Sequence, residues 1–264
     1  MLERVIDRNR CGKGLGCNGR WLQIALSLLV SVLSLADASI GEEVLDKEEK
    51  QAIEELIKEF ILENPKVILH SIEGMREREL LQAVRETKTK LIALADDIFH
   101  SPGDPVIGNP NGDVTVVEFL DYRCGYCKKF FAALSALIAE DEQLRVVVKE
   151  LPILGPPSER VARVALAALR QNLYLEFHAA MMNVRGGFDA ERVFTIAEEI
   201  GLDMARLRRD MESTETETVL ENARELAREL SVTGTPAIIV GSNIVRGAID
   251  IGRLKAMVAA ARAE

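Results

Sequence analysis

The sequence predicts an α/β domain in which a small mixed sheet is interrupted by a block of helices, with an all-helical segment in front of it. Three observations predict this. A strand–helix–strand run covers 114–151, a helical stretch without strand signals covers about 158–230, and a strand pair followed by a helix closes the chain. The first run is a βαβ unit, which implies a parallel pair with a right-handed crossover. The closing pair around Gly241-Ser242 has the spacing of a short hairpin, so the sheet is mixed.

Taken in order, residues 1–20 carry Arg4, Arg8, Arg10, Lys13 and Arg20 against Glu3 and Asp7, and Trp21 to Leu35 is apolar apart from Gln23 and serines. Ala36-Asp37-Ala38 then offers the small-x-small pattern of a signal peptidase site, so 1–38 reads as a secretory signal peptide. An uncleaved signal anchor is the alternative, and either one exports the rest of the chain. From Glu42 to about His100 the pattern is helical. Ile53, Leu56, Ile57, Phe60 and Ile61 follow the i, i+3, i+4, i+7, i+8 rule, with Glu54, Glu55, Lys58 and Glu59 opposite. Asn64-Pro65 marks the start of a second helix reaching Ala95, with Gly74 as its weak point. The apolar stripe of this 39–100 segment needs a partner. Self-association through 42–95 as an oligomerising stalk is one reading, and a charged helix decorating a monomer is the other.

Turn-rich sequence over 101–113 opens the domain expected over 101–264. Val114 to Leu120 is a β-branched strand, Lys128 to Ala139 a helix and Leu144 to Leu151 a second apolar strand. Ser158 to Leu230 reads as the inserted helices, broken near Arg185-Gly186-Gly187. Ala237 to Val240 and Asn243 to Arg246 form the hairpin, and Asp250 to Ala263 the last helix.

Composition limits the function. The chain has 264 residues, 33 basic and 42 acidic, for a net charge of −9. Loss of 1–38 removes five basic and three acidic residues, giving −11. With no basic stripe interleaved with aromatics, nucleic acid is not an expected partner. The four cysteines fall into two close pairs. Cys11 and Cys17 lie in the expected signal, which separates them from the second pair and argues against one four-cysteine zinc site.

Cys124-Gly125-Tyr126-Cys127 stands where the first strand ends and a helix begins. Free N–H groups and the positive end of the helix dipole favour thiolate over thiol at such a position. Two intervening residues let the second sulfur displace the first, so the pair can cycle between dithiol and disulfide. Cys124 is then the exposed nucleophile and Cys127 the shielded resolving thiol. Half a metal site and a structural disulfide are the competing readings. Zinc wants four ligands, and beyond the signal the chain offers only His70, His100 and His178, scattered. No cofactor is expected beyond the Cys124–Cys127 pair.

Val117-Glu118-Phe119-Leu120-Asp121-Tyr122-Arg123-Cys124-Gly125-Tyr126-Cys127-Lys128 resembles the active-site segment of the thioredoxin superfamily. The helical insertion and Gly234-Thr235-Pro236-Ala237 before the last hairpin resemble the DsbA family within it. The upstream Glu63-Asn64-Pro65-Lys66-Val67-Ile68 is similar to the N-terminal segment of ScsC-like (suppressor of copper sensitivity) and Com1-like members, some of which oligomerise through it. The resemblance implies a thioredoxin fold with an inserted helical domain, behind a helical stalk.

It also implies site roles. Pro236 matches the family's cis-proline facing the dithiol, although an X–Pro bond is ordinarily trans. Thr235 would offer its backbone to an extended substrate by strand addition, beside Gly125 and Tyr126. Glu118, six residues before Cys124, matches the family's buried acid. Its strand has no polar face, so its pKa should be raised, which would let it take or return the Cys127 proton. A strand-end glutamate reaching solvent is the alternative. Lys149 is expected either to pair with Glu118 or to be exposed. His178 reads as packing or surface, and Met181-Met182 as core rather than a copper site.

The direction of exchange is set less firmly. Gly125-Tyr126 lacks the histidine found between the cysteines of the family's strongest oxidants, which predicts a less oxidising pair. Thr235 and the stalk resemble disulfide isomerases. The expected activity is a periplasmic thiol–disulfide oxidoreductase leaning to isomerase or reductase, with an oxidase as alternative. The expected partners are unfolded or misoxidised exported proteins and a membrane redox partner, DsbD-like or DsbB-like. A copper-binding protein using the dithiol as Cu(I) ligands is the reading from another class.

Overall fold

The computed structural model describes residues 45–263, so the expected signal peptide, with Cys11 and Cys17, lies outside the described residues. The chain divides into two compact units, one ending at Ile72 and one starting at Glu73.

In the first unit, Asp46 opens α1 (Lys47–Glu63) with a capping box. Its carboxylate accepts the Glu48 and Glu49 N–H groups at 2.9 and 2.8 Å, and Glu49 returns a bond to the Asp46 N–H at 2.9 Å. Asn64 closes this helix as well as preceding the next, since its amide and backbone N–H both donate to the Phe60 carbonyl. The helix α2 (Lys66–Ala93) starts directly after Pro65. No residue of α1 is buried, and Leu56, Phe60 and Leu62 are among its exposed apolar side chains.

In the second unit, α3 (Ala95–Phe99) leads into a five-stranded sheet. Its strands are β1 (Val106–Gly108), β2 (Val114–Leu120), β3 (Leu144–Glu150), β4 (Ala237–Val240) and β5 (Asn243–Arg246), in the order β1-β3-β2-β4-β5. Only β2 and β3 pair in parallel, through the crossover helix α4 (Gly125–Glu140). Between β3 and β4 comes the helical block: α5 (Pro156–Leu169), α6 (Tyr174–Asn183), α7 (Ala190–Glu199), α8 (Met204–Asp210) and α9 (Thr214–Glu229). The expected break near Arg185 falls between α6 and α7, and α10 (Ile251–Ala263) ends the fold. The thioredoxin fold with a helical insertion is therefore the architecture observed.

Two short elements were not legible. The turn-rich 101–113 stretch contains β1, which pairs antiparallel with β3, and α3 follows the expected end of the second helix. Gly108 ends β1 at φ +77°, where a Cβ would sit 2.5 Å from the Leu144 carbonyl oxygen. The residue that reads as a breaker is there because backbone passes too close for a side chain.

The alternation of β2 sorts the core. Val114, Val116 and Leu120 face one way, with Val146, Val148 and Ile238, onto Phe130 and Leu134 of α4, Leu254 and Val258 of α10, and Val161, Phe177 and Met181 of the helical block. Val117 and Phe119 face the other way, with Val147 and Ile239, onto Leu91, Ile98 and Leu226. The helical block thus shares the core on the face behind the α4 N-terminus, where truncating Phe130 to alanine would cost about 3–5 kcal/mol.

Candidate active site

The turn between β2 and α4 carries the dithiol. Cys124 is the N-cap of α4, in extended conformation, at the end of the helix where the backbone N–H groups are free, and its side chain makes no capping hydrogen bond. Cys124, expected to be exposed, is buried and retains 8% of its accessible surface, because the Thr235–Pro236 turn covers it; Cys127 retains none. Both are free thiols, and the Cys124 Sγ donates to the Thr235 carbonyl oxygen at 3.1 Å. The Thr235–Pro236 bond is cis. Pro236 is buried, Thr235 half-buried, and Gly125 and Tyr126 exposed, so the opening to the dithiol is rimmed by backbone and one aromatic ring.

Asp121 fixes this turn. One carboxylate oxygen accepts the Arg123 N–H and the Ser158 hydroxyl, each at 2.8 Å; the other accepts the Ile153 and Leu154 N–H groups, each at 3.0 Å. The Asp121 carbonyl also accepts the Cys124 N–H at 3.0 Å. One buried side chain therefore ties the dithiol turn to the loop after β3 and to the first turn of α5.

Glu118 is wholly buried and neither carboxyl oxygen has a hydrogen-bond partner. Burial pushes its pKa well above the ordinary carboxylate range, and Glu150 and Cys124 add to the effect. Burial likewise pushes the Cys127 thiol far up, with Glu118 the next cause. The solvent-reaching alternative for Glu118 does not hold, and an acid and a thiol that both resist ionisation lie on the same side of the sheet.

Lys149 does not pair with Glu118. In the parallel register Phe119 stands opposite Lys149 and Glu118 opposite Val148, so the two side chains leave opposite faces of the sheet. Lys149 is instead buried in an ion pair with Asp104 and donates to the Asp97 carbonyl. The residue that shares the Glu118 face is Glu150. Its Oε1 accepts the Tyr122 and Tyr174 hydroxyls at 2.9 and 2.8 Å, and Oε2 has no partner. The Tyr122 hydroxyl also meets His178 Nδ1 at 3.0 Å, and the His178 ring stacks on Tyr174. Burial raises Glu150 to about 8 and lowers His178 to about 3. His178 is therefore neutral and buried, and Met181 and Met182 are core.

A family profile described as the DSBA-like thioredoxin domain matches residues 115–259, more than half of the chain. The chain belongs to the DSBA-like thioredoxin domain family. A thioredoxin-like oxidoreductase from Silicibacter pomeroyi DSS-3 is 42% identical, with a TM-score of 0.63 over 64% of this chain and 98% of that one. The thiol-disulfide exchange protein α-DsbA2 from Wolbachia pipientis is 33% identical, with a TM-score of 0.63 over 68% of this chain and 97% of that one. The Na(+)/H(+) antiporter NhaA 3 of Salinispora tropica is 28% identical over 160 residues, 60% of this chain and 24% of the antiporter. The chain thus spans about a quarter of the length of the first curated relatives it matches.

In this DSBA-like domain the fold brings together Cys124, Cys127, Glu118, Thr235 and Pro236, and leaves Lys149 on the far face. Sequence reasoning missed Asp121, Glu150, Tyr122 and Tyr174. For Glu150 the signal was available, since counting by twos along two paired strands puts it on the Glu118 face. Among the described residues no group of three or more His, Cys, Asp or Glu side chains is arranged to hold a metal ion.

Proposed function

We propose that this chain is an exported thiol–disulfide oxidoreductase that exchanges disulfides in periplasmic proteins through Cys124 and Cys127. The observation that carries the reading is the asymmetry of the dithiol: one sulfur at the rim against the Thr235 carbonyl, the other sealed behind it beside an acid without partners. In the reductive direction the Cys124 thiolate attacks a client disulfide, forming a mixed disulfide and releasing one client thiolate. Cys127 then gives its proton to the Glu118 carboxylate and attacks the Cys124 sulfur. The second client thiolate leaves, and two electrons have passed from the dithiol to the client. Run backwards, the same steps oxidise a client, with Glu118 returning the proton to Cys127.

Thr235 and Pro236, with Gly125 and Tyr126, form the surface on which an extended client strand lies. Gly125-Tyr126 places no cation between the sulfurs, which supports an isomerase or reductase kept reduced by a membrane electron donor. The exposed apolar side chains of α1 support self-association through 42–95. Among the described residues no helix is long and apolar enough to cross a membrane.

The test is Cys127→Ala, which removes the resolving thiol and should accumulate mixed disulfides with exported proteins that the wild type does not. If none form, while the native dithiol binds Cu(I) tightly, the chain is a metal-binding protein. Refolding of a scrambled-disulfide protein by chains with and without 42–95, alongside sedimentation of both, decides direction and assembly. The same number of chains per particle in both would exclude the stalk as an oligomerising element.

A further inference from the structure

The helical block contributes Tyr174 and His178 to the space behind the dithiol, and both converge on Glu150. Glu118 and Glu150 leave the same face of adjacent parallel strands, offset by one alternation. Their Cα atoms are thus about 8 Å apart, from the strand spacing and rise, and among the described residues no cation on that face neutralises them. Three of the four carboxyl oxygens of this pair have no hydrogen-bond partner. A structural polar group in a core is normally satisfied, so a pair left this bare points to groups whose proton occupancy changes.

We propose that Glu150 is a positioning residue for proton transfer at the dithiol: its charge sets whether Glu118 holds or yields the proton exchanged with Cys127. The inference rests on the reading of Cys124 and Cys127 as an exchanging pair. Two neighbouring carboxyls in a dry site do not both ionise easily, and the hydrogen bonds decide which goes first. Glu150 has two hydroxyl donors and Glu118 none, so Glu150 is the member that ionises first and Glu118 the member that keeps its proton.

The cluster around Glu150 accommodates both of its states. When Glu150 is ionised, Tyr122 and Tyr174 donate to Oε1, and His178 as the Nδ1–H tautomer donates to the Tyr122 oxygen. When Oε1 is protonated it donates to Tyr122, whose hydroxyl can turn to His178 Nδ1 in the tautomer that carries its proton on Nε2. The other acids on the Glu150 side are Glu118 of β2 and Asp121 just after it; the charge of Asp121, and that of Asp104 from across the sheet, raise Glu150 further. Those facing Glu118 are Glu150, Cys124 and Cys127. Tyr122 stays neutral throughout, its pKa pushed well up by burial. Lys149, on the opposite face, is engaged by Asp104.

The experiment is a pH series of single-turnover reduction of a fluorescent peptide disulfide by excess reduced protein, quenched with a thiol-alkylating agent. Quenching separates the mixed disulfide from released peptide, so the Cys127 step is read apart from the Cys124 step. Glu150→Gln removes the charge and keeps the shape, so Glu118 ionises more readily. The midpoint of the Cys127 step should fall by about one pH unit, while attack by Cys124 keeps its own profile. Glu118→Gln should slow the Cys127 step, and adding Glu150→Gln to it should cause no further shift. A structural role for Glu150 predicts the opposite: equal slowing at every pH, or a shift that survives in the double variant. Either result overturns the proposal. Should Glu150→Gln not fold, Tyr174→Phe carries the test. It removes one donor, keeps Glu150 protonated to higher pH, and should move the midpoint the same way by less; an unmoved midpoint overturns the proposal. A wild type that forms no mixed disulfide would refute the exchange reading itself, which is a distinct outcome.

Discussion

Asp121→Ala isolates the buried carboxylate that holds the dithiol turn. Four donors converge on it, three backbone N–H groups and the Ser158 hydroxyl, at 2.8 to 3.0 Å. A hydrogen bond to a charged group contributes about 1.5–3 kcal/mol, so four summed naively would exceed half the stability of a typical domain. The sum overstates the loss, because Ile153 and Leu154 are exposed residues whose N–H groups can turn to water. Arg123 is exposed as well, whereas Ser158 is buried and its hydroxyl loses its partner, and about 3 kcal/mol is the expected cost of Asp121→Ala. Asp121→Asn discriminates more finely. Its amide oxygen can still serve Ile153 and Leu154, and its NH2 can donate to a reoriented Ser158 hydroxyl. It then opposes the Arg123 N–H donor to donor, and this single conflict should cost about 1–3 kcal/mol. Ser158→Ala, which loses one bond and leaves a carboxylate with three donors, should cost least. Urea unfolding followed by far-ultraviolet circular dichroism reads all three, provided the slope m stays constant. An Asp121→Ala variant within about 1 kcal/mol of wild type, or an Asn variant as damaged as the alanine one, would refute the clamp.

Lys149→Met should destabilise the domain by about 3–5 kcal/mol, because it leaves Asp104 buried without its cation; Asp104→Asn added to it should recover part of the loss in urea unfolding. Stability should vary with pH in two opposed ways. His178 is depressed from 6.5 to about 3, so its contribution is complete above 6.5 and is lost as pH falls through 3; His178→Gln should flatten that limb of the thermal midpoint against pH. Glu150 is raised from 4.5 to about 8, so its contribution is complete below 4.5 and is lost as pH rises through 8, and Glu150→Gln should flatten that limb. Tyr126, 63% exposed between the cysteines, should be replaceable by alanine with less than about 0.5 kcal/mol lost, yet with slower exchange on peptide disulfides, and equal rates would remove it from the client surface.

The elements that sequence periodicity revealed are those whose burial is settled by their own residues. The runs Val114 to Leu120 and Leu144 to Glu150 put apolar residues on both faces, as a sheet covered on both sides requires. The strand β1 was hidden because three residues between turns carry too little pattern, and its place depends on β3 lying beside it. The same distinction holds within the site. Cys124 and Cys127 are neighbours in sequence and could be named together, whereas Tyr122 and Tyr174 meet only because α6 folds back over β3. Lys149 was assigned to Glu118 by proximity along the sheet, and the parallel register reverses that by one position.

That one position divides the sheet chemically. On one face Lys149 and Asp104 pair within the core formed with Leu91, Ile98 and Leu226, and the pair has no path to the dithiol. On the other, Glu118 and Glu150 stand without a cation beneath Cys127, walled by Tyr122, Tyr174 and His178. A cation there would hold both acids ionised and fix their protons in solvent, whereas hydroxyls and a neutral imidazole leave them able to gain and lose protons inside the core. The helical block supplies two of those three walls and the Ser158 hydroxyl on Asp121. Beyond covering the sheet, the insertion is thus what makes the space behind the sulfurs polar without making it charged.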